Sequence, residues 1–147
     1  AKRVHQGKSM NVVVDTNVLV SGIFWNGSPR KFLSLIFRQE IKPFATIDIM
    51  AEYCRIIDKV ASKRPDIAAR WKSQIAKVMT IIEKNAAVNV CRDPKDNMFL
   101  ECAIAANAYY LVSGDSDLLV LEKIKEIPII TVNQFFDAHP EFDIAEG

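Results

Sequence analysis

The sequence is poor in the residues that most catalytic chemistry uses. It has two histidines, His5 and His139, and three cysteines, Cys54, Cys91 and Cys102. A Ser-His-Asp triad or a Cys-His pair needs a histidine at the reacting centre. A zinc site needs histidine or clustered thiolates, and no two cysteines stand as C-x-x-C. An odd number of scattered thiols is no disulfide framework and reads as a reducing cytoplasm; Cys91 and Cys102, set among apolar residues, read as inert thiols. There is no Walker A loop and no dinucleotide fingerprint. Apolar runs are short and broken by charge, which excludes a membrane-spanning helix. Glycine (5) and proline (6) are scarce and no repeat is visible, so the chain does not read as disordered. An enzyme with this composition has to work with carboxylates.

What is present fits one domain. The chain has 147 residues, half of them hydrophobic, enough to bury a core. Residues 1–9, polar and basic ahead of Met10, read as an added leader or a disordered extension, not a secretory signal. They hold Lys2, Arg3 and Lys8, so the net charge of +1 becomes about −2 without them. Net charge is therefore no argument for a nucleic-acid partner. The expected domain covers 10–138, followed by an acidic tail, 139–147.

Periodicity alternates along the chain. Short β-branched or apolar runs at 11–14, 43–46, 87–90, 109–112 and 128–131 read as strands. Helical spacing is expected at 17–22, from Pro29 with Ser28 as N-cap, over 47–61, and from Pro65 through Trp71, Ile75 and Val78 to Ile82. It returns after Asp96, over 118–122 and over 133–138, with Asn133 as N-cap. Strands alternating with helices predict an α/β three-layer sandwich around a parallel sheet.

Ligands bind open α/β sheets at the carboxyl ends of the strands. The strand ending at Val14 delivers Asp15 to that edge, the one ending at Val112 delivers Asp115 and Asp117, and the turn after Val90 delivers Asp93 and Asp96. Glu52 can face the same rim from its helix. Asp93 and Asp96 could equally be helix caps, Asp115 and Asp117 turn residues, and Glu52 a solvated helix acid. Asp15 is different: an acid directly after Val12-Val13-Val14 must be solvated, paired or metal-bound. Converging carboxylates repel and call for a cation, and oxygen donors without His or Cys select Mg²⁺ or Mn²⁺. Such ions serve phosphoryl chemistry.

Four motifs in this order resemble the PIN-domain ribonucleases, and among them the toxin components of toxin–antitoxin pairs. They are Val13-Val14-Asp15-Thr16-Asn17-Val18-Leu19-Val20-Ser21-Gly22, Ala51-Glu52-Tyr53, Arg92-Asp93-Pro94-Lys95-Asp96-Asn97, and Val112-Ser113-Gly114-Asp115-Ser116-Asp117. The likeness runs from Met10 to about Phe136. It implies a parallel, roughly five-stranded sheet and a catalytic set of Asp15, Glu52, Asp96 and Asp115. Metal would lie on Asp15, Asp96 and Asp115, with Asp117 as an outer or second-metal acid. Asn17 and Ser113 would orient the carboxylates or a water. The implied reaction is hydrolysis of RNA to 5′-phosphate and 3′-hydroxyl ends, and an implied partner is an antitoxin whose peptide blocks the groove. A homodimer is a further expectation. Thr46-Ile47-Asp48 matches the family loosely ahead of Glu52, so Asp48 competes as the helix acid.

Residues 55–84 carry eight basic side chains against three acidic ones, a net +5, while 133–147 carries four acids and no Lys or Arg. An anionic polymer passing over the basic helices fits this asymmetry, as does a solvated helix face. Arg55, Lys59 and Lys63 are the candidate phosphate contacts. Trp25, in a polar loop, is the candidate base-stacking residue; Trp71 falls on an apolar period and reads as core. Two other classes are a carboxylate-lined module that holds metal and RNA without cutting, and a receiver-like signalling domain. The latter wants an acidic pair after the first strand and a lysine after a late one, which Asp15-Thr16 and Thr131-Val132 do not supply.

Overall fold

The computed structural model describes residues 10–143, so the expected leader at 1–9 lies outside the described residues. The chain begins with β1 (Met10–Val14), α1 (Thr16–Phe24), α2 (Ser28–Phe37) and β2 (Ile41–Ala45). Next come α3 (Ile47–Val60), α4 (Pro65–Val78) and β3 (Thr80–Ile81). A 3₁₀ turn (Pro94–Asp96) leads into α5 (Asn97–Ala105), β4 (Tyr110–Val112) and α6 (Ser116–Leu119). The described chain closes with β5 (Lys123–Ile124), β6 (Ile127–Ile130), α7 (Val132–Ala138) and a 3₁₀ turn (Pro140–Phe142).

The sheet order is β3-β2-β1-β4-β6-β5. The first five strands are mutually parallel, as expected, and β5 adds an antiparallel sixth at one edge. β1 is central because it can be buried on both sides. Val12, Val13 and Val14 are each at most 1% exposed, and consecutive strand residues point to opposite faces. Both faces of the sheet are therefore covered, which makes an α/β sandwich. Pro43 sits inside β2 where it costs no ladder bond to β3, since β3 pairs only from Phe44 onward.

Three expectations need correction. Residues 87–90 are not a strand, because their backbone is held by side chains of α5: Val88 N–H donates to Glu101 at 2.9 Å and Val90 N–H to Asn97 at 3.2 Å. The third strand lies earlier, at Thr80–Ile81, where α4 has already ended and Ile82 N–H reaches Ala45 O at 3.0 Å. The β-branched run Thr80-Ile81-Ile82 favours this extended exit over another helical turn. Two helix caps shift as well, by one residue at α2 and two at α7. Gly27, at φ 137°, precedes α2 in a conformation that suits glycine, and Thr131 rather than Asn133 caps α7 in a reciprocal box with Gln134.

Residues 139–143, read as the start of an acidic tail, pack back onto the body. His139 Nε2 shares a hydrogen bond with Tyr110 Oη at 2.8 Å, Phe142 stacks on Phe135, and Asp143 pairs with Lys31. Trp71 is half-buried against Phe37, as its period suggested.

Gly22 sets the approach of α1 to α2. A methyl group there would lie 2.7 Å from Pro29 O and 3.0 Å from Leu33 Cβ. Although alanine is the better helix former, Gly22→Ala should lower unfolding free energy by about 1–3 kcal/mol, the usual cost of overpacking. Urea denaturation followed by circular dichroism checks this. Unchanged or higher stability would show that α2 yields without cost.

Candidate active site

Asp15 follows β1 directly and is 3% exposed. Its backbone N–H donates to Val112 O at 3.0 Å, which ties it to the end of β4. Its side chain caps α1: Oδ1 accepts from Val18 N–H at 2.8 Å. Oδ2 accepts from the Ser113 hydroxyl and from Gly114 N–H at 3.3 Å. Burial raises the Asp15 pKa, and these donors oppose it. Tyr53, fully buried in α3, donates its hydroxyl to Val14 O and fixes the end of β1 from the other direction.

Ser113 is the hinge between Asp15 and the other acids. While it donates to Asp15, its oxygen accepts from Asp115 N–H at 2.9 Å. Asp115 caps α6, accepting from Asp117 N–H at 2.9 Å, and so the turn after β4 aims both acids at the rim. Asp96 arrives from the other side, at the start of α5. Among the described residues, Asp96, Asp115 and Asp117 form a group whose carboxylate oxygens lie within 4.8 Å of one another. Asp15 and Glu52 stand outside this group.

Asp96 carries the strain of that arrangement. Burial first, then the charge and hydrogen bond of Asp115, then Asp93 and Asp117, push its carboxyl up to about 7. Its Oδ2 is buried with no hydrogen-bond partner. An acid with one buried oxygen that has no donor, and with a carboxylate oxygen within 4.8 Å of those of Asp115 and Asp117, fits a hard divalent cation. All donors at the site are oxygens, which matches Mg²⁺ or Mn²⁺ and not zinc.

Glu52 faces a groove of about 470 Å³ beside the acids, lined also by Asp48, Arg55, Lys95, Asn97 and Glu101. It accepts from Arg55 at 2.7 Å, while Asp48 lies on the same wall. Asn17 is exposed and lines a second cleft of about 350 Å³ together with Ser113, Gly114 and Asn133. Arg55, Lys59 and Lys63 are exposed on α3 and the turn after it, and Trp25 is 56% exposed at the end of α1. Cys102 is buried and Cys91 half-buried, their thiols pushed up to about 12 and about 11, chiefly by burial.

Asn97 and Glu101 lie in the motif region but were given no role from the sequence. Asn97 is buried and accepts from both Val90 N–H and Cys91 N–H; Glu101, one turn on, accepts from Val88 N–H and pairs with Lys84 at 3.5 Å. Together they hold the loop that precedes Asp93. The available signal was their i, i+4 spacing on one helix face directly after Asp96.

Known proteins resemble this chain in sequence and in fold. The sequence model of the PIN domain matches residues 11–117, a span that takes in Asp15, Glu52, Asp96, Asp115 and Asp117. An uncharacterised protein of Methanocaldococcus jannaschii is 35% identical over 120 residues, covering 76% of this chain and 75% of that protein. Among solved structures, VapBC2 from Rickettsia felis, bound to a DNA fragment from its promoter, superposes with a TM-score of 0.60 at 18% identity, covering 83% of this chain and 98% of that one. The PIN domain endonuclease Utp24 gives 0.48 at 15% identity, covering 82% and 84%. With the motifs in order, the sheet assembled as they require and the family match spanning most of its length, the chain belongs to the PIN domain family.

Proposed function

We propose that this protein is a metal-dependent ribonuclease. The observation that carries the reading is the convergence of Asp96, Asp115 and Asp117, one of which also has a buried oxygen without a partner. PIN domains are generally nucleases, which supports phosphodiester hydrolysis as the reaction class. Asp96, Asp115 and Asp117 would hold Mg²⁺ or Mn²⁺; when bound, the ion would activate water and neutralise charge on the phosphate. Asp15 would act with them as a catalytic-site acid. Its bonds to Ser113 and Gly114 fix the turn that presents Asp115, and its charge adds to the site. Glu52, or Asp48 beside it, would bound the groove along which the substrate approaches. Arg55 and Lys95 would contact phosphates there, with Lys59 and Lys63 further along and Trp25 available for stacking. Asn17 would orient a substrate or water at the second cleft.

The finer reading is the toxin of a toxin–antitoxin pair, acting in the cytoplasm, with an antitoxin peptide laid over the groove and a homodimer as the assembled form. The motif resemblance supports it, as does the shared fold of VapBC2. Among the described residues no helix is long and apolar enough to cross a membrane.

Metal binding should stabilise the fold, because the cation binds the native site and not the unfolded chain. The pH dependence follows from Asp96. Its carboxyl is held near 7 in the fold against an ordinary 3.8, so the native state keeps a proton that the unfolded chain has released. Without metal, this group makes stability fall as pH rises from about 4 to 7. With millimolar Mn²⁺ the melting temperature should rise, and the gain should grow across the same window as the proton leaves. Asp115→Asn should lose most of the gain. Melting curves at several pH values check this; an equal gain in wild type and variant would count against the site.

Cleavage should depend on every acid that positions the ion. Asp96→Asn and Asp115→Asn keep shape and remove charge, so single-turnover cleavage of RNA with Mn²⁺ should fall by about 10²-fold or more while the fold survives. Asp15→Asn should fall comparably. A double variant should be little worse than either single one, because the groups act as a unit. Full activity in folded Asp115→Asn, or cleavage persisting in EDTA, would sink the mechanism. Metal and RNA binding without any cleavage would favour a non-cutting module instead.

A further inference from the structure

A cation already stands among the acids. Arg92 Nη2 lies 3.0 Å from Asp117 Oδ1 and 3.2 Å from Oδ2, while the rest of its side chain is in solvent, 84% exposed. The arginine is not placed there by chance of a loose loop. Residues 88–91 are tethered to α5 through Glu101 and Asn97, and Asp93 caps the next turn through Lys95 N–H at 3.1 Å. The backbone at Arg92 is therefore held on both sides, and its guanidinium is kept within reach of the carboxylate group. Resting on the nuclease reading, we propose that Arg92 is an internal counter-cation: it holds Asp117 against the divalent ion, and passes to a phosphate of the RNA once the ion takes that carboxylate.

Three carboxylates within 4.8 Å cannot all stay charged without compensation, and the guanidinium supplies part of it. A divalent ion in the same group competes for the same Asp117 oxygens. Once displaced, the guanidinium is still tethered beside the acids, exposed, and carries a planar fork of donors that suits a phosphate better than an ammonium does. Its release would thus place a positive charge where the substrate's phosphate meets the site, and only after the ion has arrived.

The test has a metal arm and an RNA arm. Mn²⁺ titration by calorimetry compares wild type, Arg92→Ala, Asp117→Asn and the double variant. Arg92→Ala should bind Mn²⁺ roughly two- to fivefold more tightly, the factor an exposed ion pair is worth, and should have no effect in the Asp117→Asn background. Arg92→Lys should stay close to wild type. In the RNA arm, binding of a single-stranded oligonucleotide is followed against salt, in Ca²⁺ with intact RNA confirmed on gels, and in EDTA. With the ion, Arg92→Ala should lower the slope of log K against log salt by about 0.7, one phosphate contact's share; in EDTA it should not. Unchanged or weaker Mn²⁺ binding in Arg92→Ala overturns the counter-cation. The same slope loss in EDTA, or none in Ca²⁺, overturns the transfer to phosphate. If wild type binds no RNA at all, the nuclease reading falls and the transfer with it, while the Mn²⁺ titration still decides the competition for Asp117.

Discussion

The carboxylate of Asp15 joins parts of the chain that are far apart in sequence. One oxygen closes the first turn of α1, and the other accepts from Ser113 and Gly114, about a hundred positions on. A buried acid is tolerable only when its oxygens are supplied with donors, so α1, β1 and the turn after β4 are obliged to meet at one point. β1 and β4 are neighbours in the sheet, which makes the meeting possible; Val14 pairs with Val112 and leaves both following residues at the same edge. The positions of Asp115 and Asp117 follow from that junction through the hydroxyl of Ser113.

The same economy governs the other acids. Asp93 and Asp115 each satisfy a backbone N–H at the start of a turn or helix. Capping and chemistry are therefore not rival explanations for them: the hydrogen bond that caps the helix also fixes where the remaining oxygen points. Asp96 departs from this pattern. It stands at the N-terminus of α5 without making a side-chain cap, and one of its oxygens has no donor. The site thus combines acids whose geometry is locked with one whose charge is left uncompensated, and the latter is where a cation gains most.

Much of this was legible in the sequence because both relevant signals are local. A β-branched run that ends in an acid gives a buried strand and its edge, and Asp15 and Asp115 follow from it. The parallel sheet was readable from alternation alone. What failed was long-range in character. The segment 87–90 has strand-like residues, yet its N–H groups are claimed by Asn97 and Glu101, a competition that no window of ten residues contains. β3 and β5 have two residues each, too short for any period to register. Asp117, expected as an outer or second-metal acid, is brought into the carboxylate group by the turn of α6, and Glu52, for which Asp48 already competed in the sequence, faces the neighbouring groove with Arg55.

Those two short strands have a bearing on how the molecule keeps to itself. They are the borders of the sheet, and a border strand is where backbone groups can recruit a foreign chain. Here each border offers a ladder only two residues long, one of them running against the grain of the rest. A stray strand would find almost nothing to register against. Growth of the sheet from one molecule into the next is thereby discouraged where these two strands form its margins.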